Sequence, residues 1–351
     1  MLLTSLSLYQ LEALSVQPLK QSMAVESLAK DTLSLNQPDT TIIVRFTPST
    51  VVRLCALLLG LLGGWANAQA LTVLYPDIGE PYRTVFMEIL QGIEEQARAR
   101  PRMIALSAGT DPAELRNALK SGKVVIALGR QGLKAASMLD PAQAVVIGGV
   151  GTVPDADRLS GISLTPDPAL LFAMLKSLLP GMRRVLVVYN PAANEGQIRL
   201  AREAARNLGL ELVALEAHDL AGAARAYEAQ FAAADGRRDA LWLPQDATTV
   251  EETTILPLVL KESWSRNLPV FSSSVLHVKK GVLFGLYPNN VQLGRDLATL
   301  ALSLQNGETP KRGVMPLRAV RSALNSRTAS HIGLNLVSSQ QRTFDAVFPE
   351  P

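Results

Sequence analysis

Polar residues follow several short apolar runs of this sequence, at points where a chain would leave a buried strand. Asp77 comes two residues after LTVLY, Asn190 directly follows RVLVVY, and Asp246 comes two residues after ALWLP. Carboxylates and carboxamides can hold a small polar ligand by charge and hydrogen bonds. Because the carboxyl ends of parallel strands share one edge of a sheet, such residues converge there on a cleft. The pattern therefore predicts a binding cleft.

Each of these residues has an alternative role in the local structure. Asp77 or Glu80 could cap the helix after the first loop, and Asn190 could belong to an ordinary turn before a proline. Asp246 or Thr248 could cap a helix expected from residue 250. For Asp246, capping is the preferred interpretation. We nevertheless expect Asp246→Ala to weaken ligand binding with little loss of stability.

Two glycine-containing loops bring further backbone groups to the same edge. Gly129-Arg130-Gln131 ends the run KVVIALG, where a nest of amides could hold an anion. Residues 148–152, GGVGT, do not satisfy G-x-G-x-x-G, since Pro154 stands where the third glycine would be. A glycine-lined turn around a small ligand is preferred to a dinucleotide site.

Catalytic arrangements are missing from the sequence. The three histidines are far apart, with neither H-E-x-x-H nor Cys/His spacing, and no G-x-S-x-G elbow or phosphate-binding loop is present. The sequence has 34 basic and 31 acidic residues, with no basic stripe carrying interleaved aromatics. We expect neither enzyme activity, nor a metal or cofactor, nor nucleic-acid binding.

From residue 71 onward, the sequence repeats a short apolar run, a turn and a stretch of helical period. Runs such as KVVIALG lack polar alternation, as do parallel strands that are covered on both faces. The remaining length of about 280 residues exceeds one typical core and suits two lobes. This predicts an α/β protein with two doubly wound, Rossmann-like lobes and a ligand cleft between them, with a boundary near residues 161–168.

The segment 51–70 has the features of a secretory signal peptide. A basic residue and a short apolar run precede two A-x-A patterns, at Ala66 to Ala68 and Ala68 to Ala70. The single cysteine, Cys55, precedes the apolar run, so lipid attachment is not expected. We predict a periplasmic protein with a cleaved signal. Residues 1–50 are either an extension from a start codon assigned too far upstream, expected to be disordered, or a real cytoplasmic extension.

Several motifs, taken in order, resemble the periplasmic substrate-binding proteins of ABC transporters with the type I fold, the group that includes tryptophan-binding lipoproteins. These motifs are LSGIS (159–163), LLPGMRRVLVVYNP (178–191), ALWLPQDATTV (240–250), LPVFSSS (268–274) and GLYPNNVQLGRDLATLALSLQNGETP (285–310). The resemblance covers nearly all of residues 71–336. It implies a cleft that closes by hinge bending on a small ligand, and a closed form that docks on a permease.

The expected arrangement has lobe 1 formed by residues 71–165 and about 280–308, lobe 2 by residues 166–279, and residues 309–351 returning across the hinge. The expected function is uptake of a small polar or amino-acid-like solute by a monomer. The alternative is a periplasmic subunit that reports ligand to a membrane sensor without transport. The candidate ligand-binding residues, from the loops and the resemblance together, are Asp77, Tyr82, Arg130, Tyr189, Asn190, Asn194, Gln245, Asp246, Ser273 and Tyr287.

Overall fold

The computed structural model describes residues 71–97, 99–107, 109–119, 124–140, 142–151, 159–309 and 312–349. The predicted signal peptide (51–70) and the segment 1–50 lie outside the described residues. The strands are β1 (Thr72–Pro76), β2 (Arg102–Leu106), β3 (Val124–Leu128), β4 (Ala144–Gly148), β5 (Ser160–Pro166), β6 (Arg184–Tyr189), β7 (Glu211–Glu216), β8 (Asp239–Leu243), β9 (Val270–Ser272), β10 (Phe284–Pro288), β11 (Gly313–Leu317), β12 (Val320–Asn325) and β13 (Ala346–Phe348).

Helices alternate with most of these strands. They are α1 (Tyr82–Gln96), α2 (Pro112–Leu119), α3 (Gly129–Ala136), α4 (Pro168–Leu178), α5 (Pro191–Asn207), α6 (Leu220–Ala233), α7 (Ile255–Ser265), α8 (Val275–Lys280), α9 (Asn290–Gln305), α10 (Ser326–His331) and α11 (Ser338–Gln341). Among the described helices, none has the length and apolar character needed to cross a membrane.

The first sheet has six parallel strands in the order β11-β5-β4-β3-β1-β2. Its central strand β3 is buried along its whole length, which explains the unbroken apolar run in the sequence. Helices α1 and α9 cover one face and α2 and α3 the other. A β-carbon on Gly92 of α1 would collide with the carbonyl of Val291, so the two helices depend on glycine to pack this closely.

The second sheet has seven strands in the order β13-β12-β10-β9-β8-β6-β7. Neighbouring strands pair in parallel, except that β10 and β12 pair antiparallel. Strands β12 and β13 therefore run opposite to the other five. Aromatic rings fill the core beneath α4 and α5: Trp242 meets Phe172 edge-on at 5.6 Å between centroids, and Phe271 stacks on Phe284 at 5.2 Å. The two sheets confirm the predicted α/β fold with two doubly wound lobes.

The strand at residues 284–288 lies in the second sheet, whereas the sequence analysis grouped about 280–308 with lobe 1. Phe284 stacks on Phe271 of the neighbouring strand. A β-carbon on Gly285 would lie only 2.8 Å from the Val278 side chain, so glycine is needed for the strand to pack here. Only α9, after the crossing at residue 289, packs on the first sheet. An apolar run does not encode which sheet it joins, because that depends on a partner distant in sequence.

The chain crosses between the sheets three times, at residues 167, 289 and 318–319. Hydrogen bonds tie these crossings to each other. The Asp167 amide donates to the Leu317 carbonyl at 2.8 Å, and the Asn289 amide donates to the Ala319 carbonyl at 2.9 Å. Backbone hydrogen bonds therefore connect all three crossings between the lobes.

Candidate functional site

Asp246 holds together the loops that follow β6 and β8. Its Oδ2 accepts from the Asn190 amide at 2.6 Å and from Asn194 Nδ2 at 2.9 Å. Its Oδ1 accepts from the amides of Thr248 and Thr249 at 2.9 and 3.0 Å. The residue is only 7% exposed. Since four donors already occupy the carboxylate, this geometry favours an organising role over direct ligand contact.

The helix expected from residue 250 begins instead at Ile255. Asp246 therefore closes a turn rather than capping a helix. The amides of Thr248 and Thr249 fold back onto its carboxylate, and Thr249 Oγ1 donates to the carbonyl of Val188 in β6 at 3.1 Å. The role of Thr249 was not predicted. A threonine three residues after an aspartate is its only sequence signal.

Asn190 caps α5 and remains half-buried at the strand end. Its Oδ1 accepts from the Ala192 amide at 3.0 Å, and its Nδ2 donates to Thr248 Oγ1 at 3.3 Å. One turn later, Asn194 is buried against Asp246. Only Asn190 lies outside the helix, because α5 already begins at Pro191 and Asn194 belongs to its first turns. Both side chains connect this strand end to the loop after β8 through hydrogen bonds.

Gln245 and Ser273 connect the ends of β8 and β9. The exposed Gln245 donates from Nε2 to the Ser273 carbonyl at 3.1 Å. Ser273 itself is fully buried, and its Oγ has no partner among the described residues. A buried hydroxyl without a hydrogen bond is costly, so this group has unused capacity for a water or a ligand atom.

The two predicted tyrosines of the second lobe point into the protein. Tyr189 is 1% exposed in the core under α4 and α5, and its hydroxyl lies 3.1 Å from carboxylate oxygens of both Glu195 and Glu216. Burial is the main reason that its pKa is raised. Tyr287 is half-buried against the core on the α8 face, and burial raises its pKa as well, with Asp345 adding to the effect. These positions favour packing roles.

Asp77, Tyr82 and Arg130 all lie exposed at the carboxyl edge of the first sheet, and Tyr82 is 65% exposed. Asp77 does not cap α1. The carboxylate of Glu80 serves that first turn instead, since it accepts from Thr84 Oγ1 at 2.8 Å. Asp77 therefore does not have the helix-capping role that the sequence allowed.

Two glycines lie at the ends of neighbouring strands of the same sheet. Gly129 and Gly149 directly follow β3 and β4, with φ values of +70° and +68°, in the region that favours glycine. A β-carbon on either would lie 3.0 Å from the Phe86 ring. Glycine at both positions therefore leaves room for the Phe86 ring. A close approach of this backbone to a ligand stays a prediction.

A buried serine and histidine stand close to the site. Ser272 Oγ lies 2.7 Å from His277 Nδ1 and 3.2 Å from the Leu243 carbonyl, and it accepts from the Ser274 amide. Burial lowers the pKa of His277. No sequence motif predicted this pair. Both residues are buried, so the pair fixes the loop after β9.

The predicted residues thus form three groups. Hydrogen bonds join Asn190, Asn194, Gln245, Asp246 and Ser273 on the second lobe. Asp77, Tyr82 and Arg130 lie on the first, and the two tyrosines at residues 189 and 287 pack inward. Within the part of the chain described, no cluster of three or more His, Cys, Asp or Glu side chains is placed to hold a metal ion. The exposed groups can bind a ligand by hydrogen bonds and charge.

Comparisons with known proteins agree with this architecture. Residues 170–337 match the family described as ABC transporter substrate binding protein. An ABC domain in complex with L-Trp from Streptococcus pneumonia has 15% identity and a TM-score of 0.52, covering 80% of this chain and 100% of that one.

A ligand-free, open substrate-binding protein with adhesive properties from Clostridium difficile has 17% identity and a TM-score of 0.57, covering 80% of this chain and 99% of that one. At such identities the likeness shows the fold. No curated protein matches the chain.

Proposed function

We propose that this chain is the periplasmic solute-binding component of an ABC uptake system, because residues 170–337 match the family described as ABC transporter substrate binding protein. The resemblance predicted from the sequence is confirmed by that match and by the type I binding-protein fold. Members of this family bind a small molecule outside the cytoplasm, pass it to a membrane permease and do not transform it. This agrees with the prediction that the chain is not an enzyme.

The ligand is a small polar or amino-acid-like solute held between the lobes. The observation that carries this proposal is that polar residues lie at the carboxyl ends of strands in both sheets. Asp77, Tyr82 and Arg130 approach the ligand from the first lobe, and Asn190 and Gln245 from the second. Asp246 and Asn194 hold the second-lobe loops in place, and the fully buried Ser273 belongs to the same support.

Lobe 1 comprises the first sheet with α1, α2, α3 and α9, and lobe 2 comprises the second sheet with its helices. Closure is a rotation about the three crossings, which brings the two sets of strand ends together. The monomeric protein reaches the periplasm through the signal at residues 51–70. Docking of the closed form then delivers the solute to the permease.

A thermal-shift screen tests this function. Protein purified after expression of the full-length sequence is melted with amino acids, sugars, purines, polyamines and oxyanions in turn. A solute present at 100 times its dissociation constant stabilises the fold by about 2.7 kcal/mol, which raises the melting temperature measurably. We expect one class to do so. A folded protein unaffected by the whole panel would contradict solute binding and favour a signalling or protein-docking role.

A further inference from the structure

A cavity of about 700 Å³ lies in lobe 2, between α4 and the segment 334–344. Leu286 of β10 and Val320 of β12 line it from the side of the second sheet. The candidate ligand-binding residues at the strand ends are not among the described residues that line it. Since small-molecule sites have volumes of roughly 300 to 1,000 Å³, this cavity is large enough to hold a ligand of its own.

Apolar side chains face the cavity from two opposite sides. They are Leu170, Met174 and Leu178 of α4, at helical spacing, and Leu334, Leu336 and Phe344 of the segment 334–344. All six pack against the core of lobe 2 and are nevertheless only half-buried. Apolar surface that stays in contact with water is unfavourable, so an apolar molecule between these side chains would be stabilised by removing it from water.

Two polar side chains at the cavity have free hydrogen-bonding groups. The Ser177 hydroxyl and the Asn335 carboxamide are exposed, and neither bonds to another described residue. The other polar lining residues already bond within their own segment. Thr343 Oγ1 donates to the Gln340 carbonyl at 2.7 Å, and Gln340 Oε1 accepts from the Val337 amide at 3.0 Å. A polar group of a ligand can therefore bond to Ser177 or Asn335.

No charged side chain is among the described residues that line the cavity. Lys176, the basic residue of α4, donates instead to the carbonyls of Pro180 and Met182 at 3.0 and 3.1 Å. An ionised group brought into the cavity would lose its hydration without gaining a partner of opposite charge, which is costly. The lining therefore favours an uncharged ligand.

We infer that this cavity binds an uncharged, mainly apolar small molecule that carries one hydrogen-bonding group. Its apolar body packs between α4 and the segment 334–344, and its polar group bonds to Ser177 or Asn335. A water molecule takes up about 30 Å³ in the liquid, so the cavity has room for roughly twenty atoms of that size. This site goes beyond the proposed function, because it gives lobe 2 a second ligand that is distinct from the solute in the cleft.

Fluorescence titration of the protein purified from the full-length sequence tests this inference, with N-phenyl-1-naphthylamine as the probe. The probe is uncharged, has an apolar body and one N–H donor, and emits more strongly in apolar surroundings. We expect saturable binding of one probe per chain. At neutral pH, 1-octanol should displace the probe at a concentration at least about tenfold lower than octanoate, because the carboxylate of octanoate finds no partner in the cavity.

Two substitutions fill the cavity from α4. Ala173 and Ser177 lie one turn apart, line the cavity and are exposed, so Ala173→Phe and Ser177→Phe each add a ring outside the core. Each should weaken probe binding by at least about tenfold, because the ring takes the volume that the probe needs. Ala229→Phe is the matched control, at an exposed position of α6 away from the cavity, and should leave the affinity unchanged.

Melting temperatures establish that each variant is folded, and either cavity variant alone is sufficient if the other fails to fold. Absence of saturable probe binding would overturn the inference. Equal affinities of the folded cavity variants and the control would also overturn it, since the probe would then bind elsewhere. Equal displacement by octanol and octanoate would contradict the uncharged character of the ligand. None of these results bears on solute binding in the cleft, which the thermal-shift screen tests separately.

Discussion

The carboxylate of Asp167 pairs with Arg318, and this single contact joins two of the three crossings between the lobes. Asp167 Oδ2 lies 2.6 Å from Arg318 Nη1, while Oδ1 accepts from the Ala169 amide at 2.9 Å and so caps α4. The Asp167 side chain is 13% exposed. A residue at the proposed hinge thus anchors the first helix of lobe 2 and the returning chain from lobe 1.

Asp167→Ala should destabilise the protein by about 1 to 3 kcal/mol, because it removes both a helix cap and a charge-assisted hydrogen bond. Asp167→Asn keeps a capping oxygen and loses only the ion pair, so its cost should be smaller. Urea unfolding of the two variants measures the difference. Equal losses of stability would mean that the cap contributes nothing.

Asp246→Ala should lower the free energy of unfolding by about 1 to 3 kcal/mol, since the buried Asn194 amide and three backbone amides lose their acceptor. This revises the sequence expectation of little stability loss. Gln245→Ala, at the exposed neighbouring position, should cost less than about 1 kcal/mol. An Asp246→Ala variant as stable as Gln245→Ala would contradict the organising role.

Two glycine substitutions should change stability in opposite directions. Gly92→Ala would drive a β-carbon into the Val291 carbonyl between α1 and α9, costing about 1 to 3 kcal/mol. Gly196 lies inside α5, and nothing is within 4 Å of the β-carbon that alanine would add. Gly196→Ala should therefore stabilise the folded protein by about 0.5 to 1 kcal/mol. Thermal unfolding compares both with the wild type. Stabilisation by Gly92→Ala would disprove the close helix contact.

His277 should make stability fall as the pH drops below about 6.5. Burial lowers its pKa in the folded state, so the unfolded chain binds the proton more readily and protonation favours unfolding. The loss begins near the unfolded pKa and levels off below the folded one. Melting temperatures between pH 8 and pH 5 should fall more for the wild type than for His277→Gln. Identical pH profiles would contradict this coupling.

Much of the fold could be predicted from the sequence because buried parallel strands leave unbroken apolar runs. Strands β1, β3 and β6 lie at the apolar runs LTVLY, KVVIALG and RVLVVY, and stretches of helical period between such runs form helices such as α1. The sheet that residues 284–288 join could not be predicted in this way. It depends on the stacking of Phe284 on Phe271 and on Gly285, which are contacts between strands.

The positions of the candidate site residues at strand ends could be predicted from the sequence. The directions in which their side chains point were harder to predict. The loops after β6 and β8 do carry linked polar residues, since a strand end followed by Asn-Pro or Asp is visible in the sequence. Whether Tyr189 faces the cleft or the core depends on the strand's alternation relative to α4 and α5, and here it faces the core. That orientation follows from tertiary packing.

Small-angle X-ray scattering tests the central claim most directly, that a solute is bound by closure of two lobes. The radius of gyration is measured for the purified protein alone and then saturated with the compound that gives the largest thermal shift. We predict that it decreases on binding, because rotation about the three crossings brings the strand ends of both sheets together. Saturated binding with an unchanged radius of gyration would contradict hinge closure.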